Sequence, residues 1–398
     1  MTSVAEQVRT YRGPTLFSYG FRPFFFLAAL WAGLAIPLWI FTYALGPDAV
    51  PFETGLVWHV HEMVFGYGSA VVAGFLLTAV PNWTGRLPVT GAPLILLVSL
   101  WCLGRAGLFL VPQPSAGAAM VDAAFLIVFA GLVWREVIAG RNVRNVKVAV
   151  AVSFLAAANA GFHFVTVTSG GLPTYAVNAG LATLLFLILL IGGRIVPSFT
   201  RNWMAKHGAR LLPAAYNKVD AAILSISALA LAAWTVPETG QISGAALIIA
   251  GGLNLARLAR WRGHMTGAEP LVIILHIGYA WAAAALLLLG AASIAPAVIP
   301  RLAGLHAAGA GAIGVMTLAV MTRATLGHTG RAIIAGWGTC LVFVLINLAA
   351  LTRVGSTFMD PVLQPYGNYL AAVFWSGAFA VFCMVYGPRL LASRKTSA

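Results

Sequence analysis

The feature that most constrains this chain is a series of apolar runs, each long enough to cross a lipid bilayer. A transmembrane helix needs about 20 predominantly apolar residues. In lipid, a helix satisfies its own backbone hydrogen bonds, so runs of this kind fold as helices. The sequence predicts twelve spans, at residues 24–46, 58–80, 93–112, 118–139, 146–168, 174–197, 218–236, 242–258, 270–290, 299–322, 331–352 and 367–388.

The composition supports a membrane protein and excludes the main soluble classes. The chain is 60% hydrophobic and 9% charged, whereas soluble domains carry about 25% charged residues. Outer-membrane barrels show weak alternation rather than long apolar runs. The segments between the spans are short, so we predict an all-α integral membrane protein with a single polytopic membrane domain over residues 1–398.

The distribution of Lys and Arg predicts the orientation of the spans. With the N-terminus in the cytoplasm, all but three of the 24 Lys and Arg residues fall at the cytoplasmic side, the exceptions being Arg105, Arg301 and Arg353. Cytoplasmic loops carry such an excess of basic residues. We therefore predict that both termini are cytoplasmic. Topology and anionic membrane lipid account for the net charge of +14, and no nucleic-acid partner is predicted.

Most of the eight histidines lie at or inside the spans, where ionisable groups are costly and usually functional. A helical rise of about 1.5 Å per residue places four of them within roughly 10 Å of the outer interface. Two others lie toward the cytoplasmic side, and two lie in basic loops, where we expect them to be solvated. The outer group is His59, His61, His163 and His306, the inner group is His276 and His328, and the loop histidines are His207 and His264.

Neutral imidazole is a common ligand of haem iron and of copper, so the outer histidines are predicted cofactor ligands. The chain contains no CxxCH motif, so a haem would be held without a covalent link. In a regular helix His59 and His61 differ by about 200° around the axis, and they would not share one metal. His59 shares its face with Met63, which offers a thioether suited to Cu(I). The alternative is an interfacial belt of Trp58 and the two histidines.

Two arginines lie at inner helix ends, Arg22 and Arg194. Arginine pairs well with carboxylates, so both are candidates to bind haem propionates. The equally open alternative is that they extend to the interface and determine topology. Inner His276 and His328 suggest a second cofactor or an electron-entry site on the same side of the membrane.

Five segments of the chain resemble the signature segments of the NnrS family. They are FRPFF at 21–25, WHVHEMVFGY at 58–67, GFLLTAVPNWTG at 74–85, GRIVPSFTRN at 193–202 and MTRATLGHTGR at 321–331. The resemblance implies a multi-pass protein of the bacterial inner membrane that contains haem b and copper. It also implies protection against nitric oxide and nitrosative stress during denitrification. The six histidines of the outer and inner groups then correspond to the histidine pattern of the family, and the loop residues His207 and His264 fall outside it.

The leading functional hypothesis is a membrane haem and copper protein that binds or turns over nitric oxide or another small apolar gas. Turnover would make it an oxidoreductase with a quinol or a redox protein as electron donor. The alternative is a secondary transporter of a small molecule or metal, which would place its polar site at the bilayer midplane. A sensor or chaperone is a third class, but the chain has no separate soluble domain for signalling.

Overall fold

The computed structural model describes residues 11–46 and 54–394, and these residues form helices and connecting segments without any strand. Twelve helices occupy the positions of the twelve predicted spans, which confirms the all-α fold. They are α1 (Phe21–Leu45), α2 (Leu56–Thr84), α3 (Ala92–Leu110), α4 (Ala116–Ala139), α5 (Val146–Ser169), α6 (Thr174–Lys206), α7 (Lys218–Trp234), α8 (Gly240–Ala259), α9 (Pro270–Ile294), α10 (Arg301–His328), α11 (Trp337–Ser356) and α12 (Gln364–Leu391).

Eleven of these helices are long and apolar enough to cross a membrane. The remaining one, α7, has 17 residues. Its length of about 26 Å is slightly less than the hydrocarbon core of about 30 Å. The chain is therefore a multi-pass membrane protein. Its orientation stays a prediction, and the first and last basic residues used for it, Arg9 and Lys395, lie outside the described residues.

Three helix ends differ from the predicted spans by more than four residues. Helix α6 continues through Pro197 to Lys206, because proline is tolerated inside membrane helices where neighbouring groups satisfy the freed carbonyl. Helix α10 continues to His328 and is followed by Gly330, which has a φ of 69°. Helix α11 begins only at Trp337. The apolar residues 332–335 that suggested an earlier start are not helical, and Ile334 is 70% exposed.

Two helices contain π-helical turns that the sequence did not predict. In α2 the π-helical segment is Glu62–Gly68, and in α10 it is Ala307–Val315. Each segment begins directly after a histidine, His61 in α2 and His306 in α10. Such turns are often found at functional sites, and they alter the helical spacing on which face assignments from sequence depend.

The helices belong to two compact units. The described residues of unit 1 are 11–46, 54–180, 324–331 and 382–394, and unit 2 comprises Leu181–Arg323 and Ala332–Val381. Within unit 1, α2 packs against α1 and α4, and α4 also packs against α3 and α5. Within unit 2, α8 packs against α7 and α9, and α10 packs against α9 and α11. Helix α4 thus has a central place in unit 1.

The predicted orientation can be tested with single cysteines introduced after the native ones at Cys102, Cys340 and Cys383 are replaced. Gly171→Cys lies between α5 and α6, and Arg210→Cys lies between α6 and α7. We expect a membrane-impermeant maleimide to label Gly171→Cys in spheroplasts and Arg210→Cys only after permeabilisation. The reverse pattern would show that the termini are on the outer side.

Candidate metal centre

Four helices of unit 1 bring ionisable and amide side chains together in the interior of the unit. Helix α2 contributes His61 and Glu62, α3 contributes Arg105, α4 contributes Asp122, and α5 contributes Asn159 and His163. None of these residues exposes more than 7% of its surface. Ionisable groups at such positions in membrane helices are rare and usually functional.

His61 lies between oxygen acceptors on both sides of its ring. Its Nδ1 lies 3.0 Å from Glu62 Oε1, and its Nε2 lies 3.1 Å from Asp122 Oδ2 and 3.0 Å from Asn159 Oδ1. A neutral imidazole has only one N–H. One of its two nitrogens would therefore direct a lone pair at an oxygen unless a proton or a metal ion lies between them.

Asp122 contacts both histidines of the cluster through the same carboxylate oxygen. Its Oδ2 lies 2.7 Å from His163 Nε2 and accepts a hydrogen bond of 3.0 Å from Asn159 Nδ2. One ligand atom each of His61, Asp122 and His163 lies within 4.8 Å of the others. Two imidazole nitrogens and a carboxylate oxygen form a donor set that binds transition metals.

Arg105 connects the two carboxylates of the cluster. Its Nη1 lies 3.1 Å from Glu62 Oε2, and its Nη2 forms a close ion pair with Asp122 Oδ1. Trp31 Nε1 also donates a hydrogen bond of 2.7 Å to Glu62 Oε2. With neutral imidazoles, one guanidinium faces two carboxylates. The cluster then carries one excess negative charge in a region removed from water, where uncompensated charge is costly.

Two glycines make room for these charged side chains. A Cβ on Gly104 of α3 would lie 2.8 Å from Asp122 Oδ1 and 3.1 Å from the Asp122 Cα, so any larger residue would separate α3 from α4. A Cβ on Gly66, inside the π-helical segment of α2, would collide with Arg105 and Glu62. The close approach of three helices at the cluster thus depends on the absence of side chains at these two positions.

A cavity of about 310 Å³ adjoins the cluster, with His61 and His163 in its wall. A water molecule occupies roughly 30 Å³ in the liquid, so the cavity has room for a diatomic ligand. Trp58 is also part of the wall, and its buried indole Nε1 makes no hydrogen bond to the described residues. The remaining lining is mostly apolar and consists of Gly55, Leu56, Val57, Leu108, Gln113, Pro114, Phe162, Thr166 and Gly170.

The other two candidates on α2 have different neighbours from His61. His59 stacks on Trp39 with ring centroids 4.2 Å apart. Met63 packs against the apolar cluster that includes Trp58 and Leu108. The copper pair of His59 and Met63 therefore stays a prediction from sequence, while His61 makes contacts of its own with Glu62.

His306 and His276 belong to unit 2 and lie in separate surroundings. His306 is half-buried, and its Nδ1 donates a hydrogen bond of 2.8 Å to the carbonyl of Leu302. His276 is buried, and its Nε2 lies 2.8 Å from Thr200 Oγ1. The Thr200 hydroxyl already donates its hydrogen bond to the carbonyl of Val196, so His276 Nε2–H is the donor to Thr200 Oγ1. His276 Nδ1 then carries a lone pair and has no hydrogen-bond partner among the described residues.

The remaining candidates lie at helix ends. His328 contacts the rings of Tyr19 and Phe21 in unit 1. Arg22 is buried in the same unit, and its Nη1 donates hydrogen bonds of 2.7 Å to the carbonyls of Leu390 and Ala392. Arg194 is half-buried in the part of α6 that belongs to unit 2. Roles for these residues with haem propionates or a second cofactor stay predictions.

Asp122 is the central residue of the cluster, and the sequence did not identify it as a candidate. It is flanked by apolar residues in α4. The group of metal-binding residue types around Glu62 instead indicated α2 as the location of the site. A signal was nevertheless present, because a single carboxylate inside a membrane span is expensive and needs a partner. Arg105 in the preceding span is a basic residue inside the membrane and is the partner that the structure gives it.

Comparison with known proteins identifies one family. A family model described as NnrS protein matches residues 15–394, nearly the whole chain. The matched region includes His61, Asp122 and His163. No curated protein matches the chain.

The ion pairs of Arg105 can be tested by replacing the guanidinium with an apolar side chain. We expect Arg105→Met to destabilise the protein by about 3–5 kcal/mol, because it leaves two buried carboxylates without their cation. Arg86→Met is the matched control, since Arg86 is 45% exposed and pairs with Glu136, and such pairs contribute about 0–1 kcal/mol. Thermal unfolding in detergent measures both. Equal shifts of the two midpoints would contradict the importance of the cluster.

Proposed function

Because the chain belongs to the NnrS family, we propose that it binds nitric oxide at a metal ion held by His61, Asp122 and His163. Membership of this family suggests a role in the nitric oxide response. The observation that carries the proposal is the convergence of three ligand atoms within 4.8 Å beside a cavity. We place the protein in the inner membrane of a bacterium, where it lowers the concentration of nitric oxide that reaches other targets.

The charge of the cluster supports a bound cation. Glu62 and Asp122 together outnumber Arg105 by one charge, and a metal ion would compensate the excess. A metal at His61 Nε2 would also leave Nδ1–H to donate to Glu62 Oε1, 3.0 Å away. Histidine ligands commonly donate their second N–H to a carboxylate, which fixes the tautomer and raises the basicity of the ligand.

The cavity supports a small apolar ligand. Its lining offers few polar groups, and its volume of about 310 Å³ is at the lower end of the range for small-molecule sites. Nitric oxide is uncharged and partitions into lipid, so it can reach a buried site without a polar channel. In this proposal the histidines and Asp122 hold the metal, and the mostly apolar wall favours an uncharged ligand.

The His61 and His163 pair does not fit a haem bound between two imidazoles. The ring centroids are 4.8 Å apart, and both Nε2 atoms approach the same oxygen of Asp122. Axial ligands must face each other across the porphyrin plane, which these rings cannot do. Haem therefore stays a prediction of the family resemblance, and His59 and His306 are the other two histidines of the predicted outer group.

Binding alone needs no electron donor. If the bound nitric oxide is reduced, electrons must come from outside the chain, and a quinol or a redox protein would supply them. The family resemblance also implies copper. Copper would either be a second metal at another site or be the metal bound by His61, Asp122 and His163. Imidazole nitrogen is compatible with copper, so the donor set fits it in part.

His163→Gln tests the proposed site, because glutamine can still hydrogen-bond Asp122 but is a poor metal ligand. We expect nitric oxide affinity to fall by roughly tenfold or more and cells that depend on the protein to become sensitive to nitric oxide. His207→Gln replaces an exposed histidine of a loop and should leave both properties unchanged. Wild-type affinity in His163→Gln, measured by titration of purified protein, would contradict the proposal.

Haem content tests the family-derived prediction separately. We expect a pyridine haemochrome assay to detect haem in protein produced with a haem supply, and to show less in His59→Ala and His306→Ala. Replacing His207 and His264 together is the control, since both are exposed. If the double replacement of His207 and His264 loses haem while His306→Ala keeps its full haem content, the depth of a histidine in the membrane does not identify the haem ligands.

A further inference from the structure

The donor set at the centre is of a kind that selects among metals. His61 and His163 each offer one imidazole nitrogen, and Asp122 offers one carboxylate oxygen. Two histidines and one carboxylate with open coordination positions form the set that is typical of non-haem ferrous iron. The cavity in whose wall both histidines lie provides the space for those open positions.

We propose that the metal at this centre is non-haem ferrous iron and that nitric oxide binds directly to it. This assignment rests on the proposed function, because it assumes that the metal binds nitric oxide. Zn²⁺ suits the same ligands but has a filled d shell and no redox chemistry. It would hold the cluster together without forming a stable nitrosyl.

Cu(I) is disfavoured by the ligands that meet at the cluster. Cu(I) is selected by soft thiolate and thioether sulfur. Among the His, Cys, Asp and Glu side chains of the described residues, the group that can converge on one metal consists of His61, Asp122 and His163 and includes no cysteine. Met63 packs instead with Trp58 and Leu108. An anionic carboxylate oxygen among the ligands favours the harder ferrous ion.

The binding step balances without any further reactant. Nitric oxide forms an Fe–N bond at an open position of the ferrous ion, and a water molecule leaves if one occupied that position. No proton moves, and electron density is only redistributed between iron and ligand. The guanidinium of Arg105 and the carboxylate of Glu62 keep their charges in this step and act only through the ligands they contact.

Metal content of the full-length protein, purified without oxygen, tests the identity of the metal. We expect one ferrous ion per chain in the wild type and in His207→Gln, and almost none in His163→Gln. Exposure to nitric oxide should give the high-spin EPR signal of a ferrous nitrosyl outside a porphyrin. His163→Cys introduces a soft ligand and should shift the retained metal from iron toward zinc or Cu(I), which also shows that residue 163 contacts the metal directly.

The outcomes separate this inference from the proposed function. Copper retained by the wild type, lost in His163→Gln and able to bind nitric oxide would overturn the iron assignment and leave the proposed function standing. Iron that is retained but gives no nitrosyl signal would overturn the proposed function. Metal content and nitric oxide binding that are unchanged in His163→Gln and His163→Cys would overturn both.

Discussion

The structure of unit 1 depends on the burial of two carboxylates inside a bundle of membrane helices. Glu62 and Asp122 expose 0% and 3% of their surfaces, and Arg105 is the guanidinium that joins them. Removing one partner of a buried ion pair costs about 3–5 kcal/mol. One arginine does not neutralise two carboxylates, and the metal ion that we propose would compensate the remaining charge. In this proposal, the negative charge that the fold buries is also the charge that attracts the metal.

The packing of the helices is adapted to this cluster. Gly104 and Gly66 leave space for Asp122 and Arg105, and the π-helical turns of α2 start at Glu62. His61 is held by contacts on both ring nitrogens, so its orientation is fixed before a metal binds. Such preorganisation reduces the cost of assembling a binding site. The mostly apolar cavity beside the cluster is where we propose that nitric oxide binds.

The sequence predicted the architecture well because it is determined by hydrophobicity. Twelve apolar runs became twelve helices, and errors arose where local signals misled, as at Pro197 and before Trp337. The site was harder to predict. Histidine depth grouped His59, His61, His163 and His306, but depth along the membrane does not determine which helix faces which. The role of Asp122 depends on contacts between α2, α4 and α5 that no spacing along the chain encodes. The π-helical turns likewise have no recognisable pattern in the sequence.

X-ray absorption spectroscopy of the full-length protein at the edge of its bound metal tests the central claim most directly. The account predicts a first shell of nitrogen and oxygen atoms at about 2.0–2.2 Å, with the outer-shell scattering of two imidazole rings. That imidazole scattering should decrease by half in a His163→Gln sample to which the metal has been restored. A first shell containing sulfur, or the scattering pattern of a porphyrin with no second population of metal, would contradict a centre built from His61, Asp122 and His163.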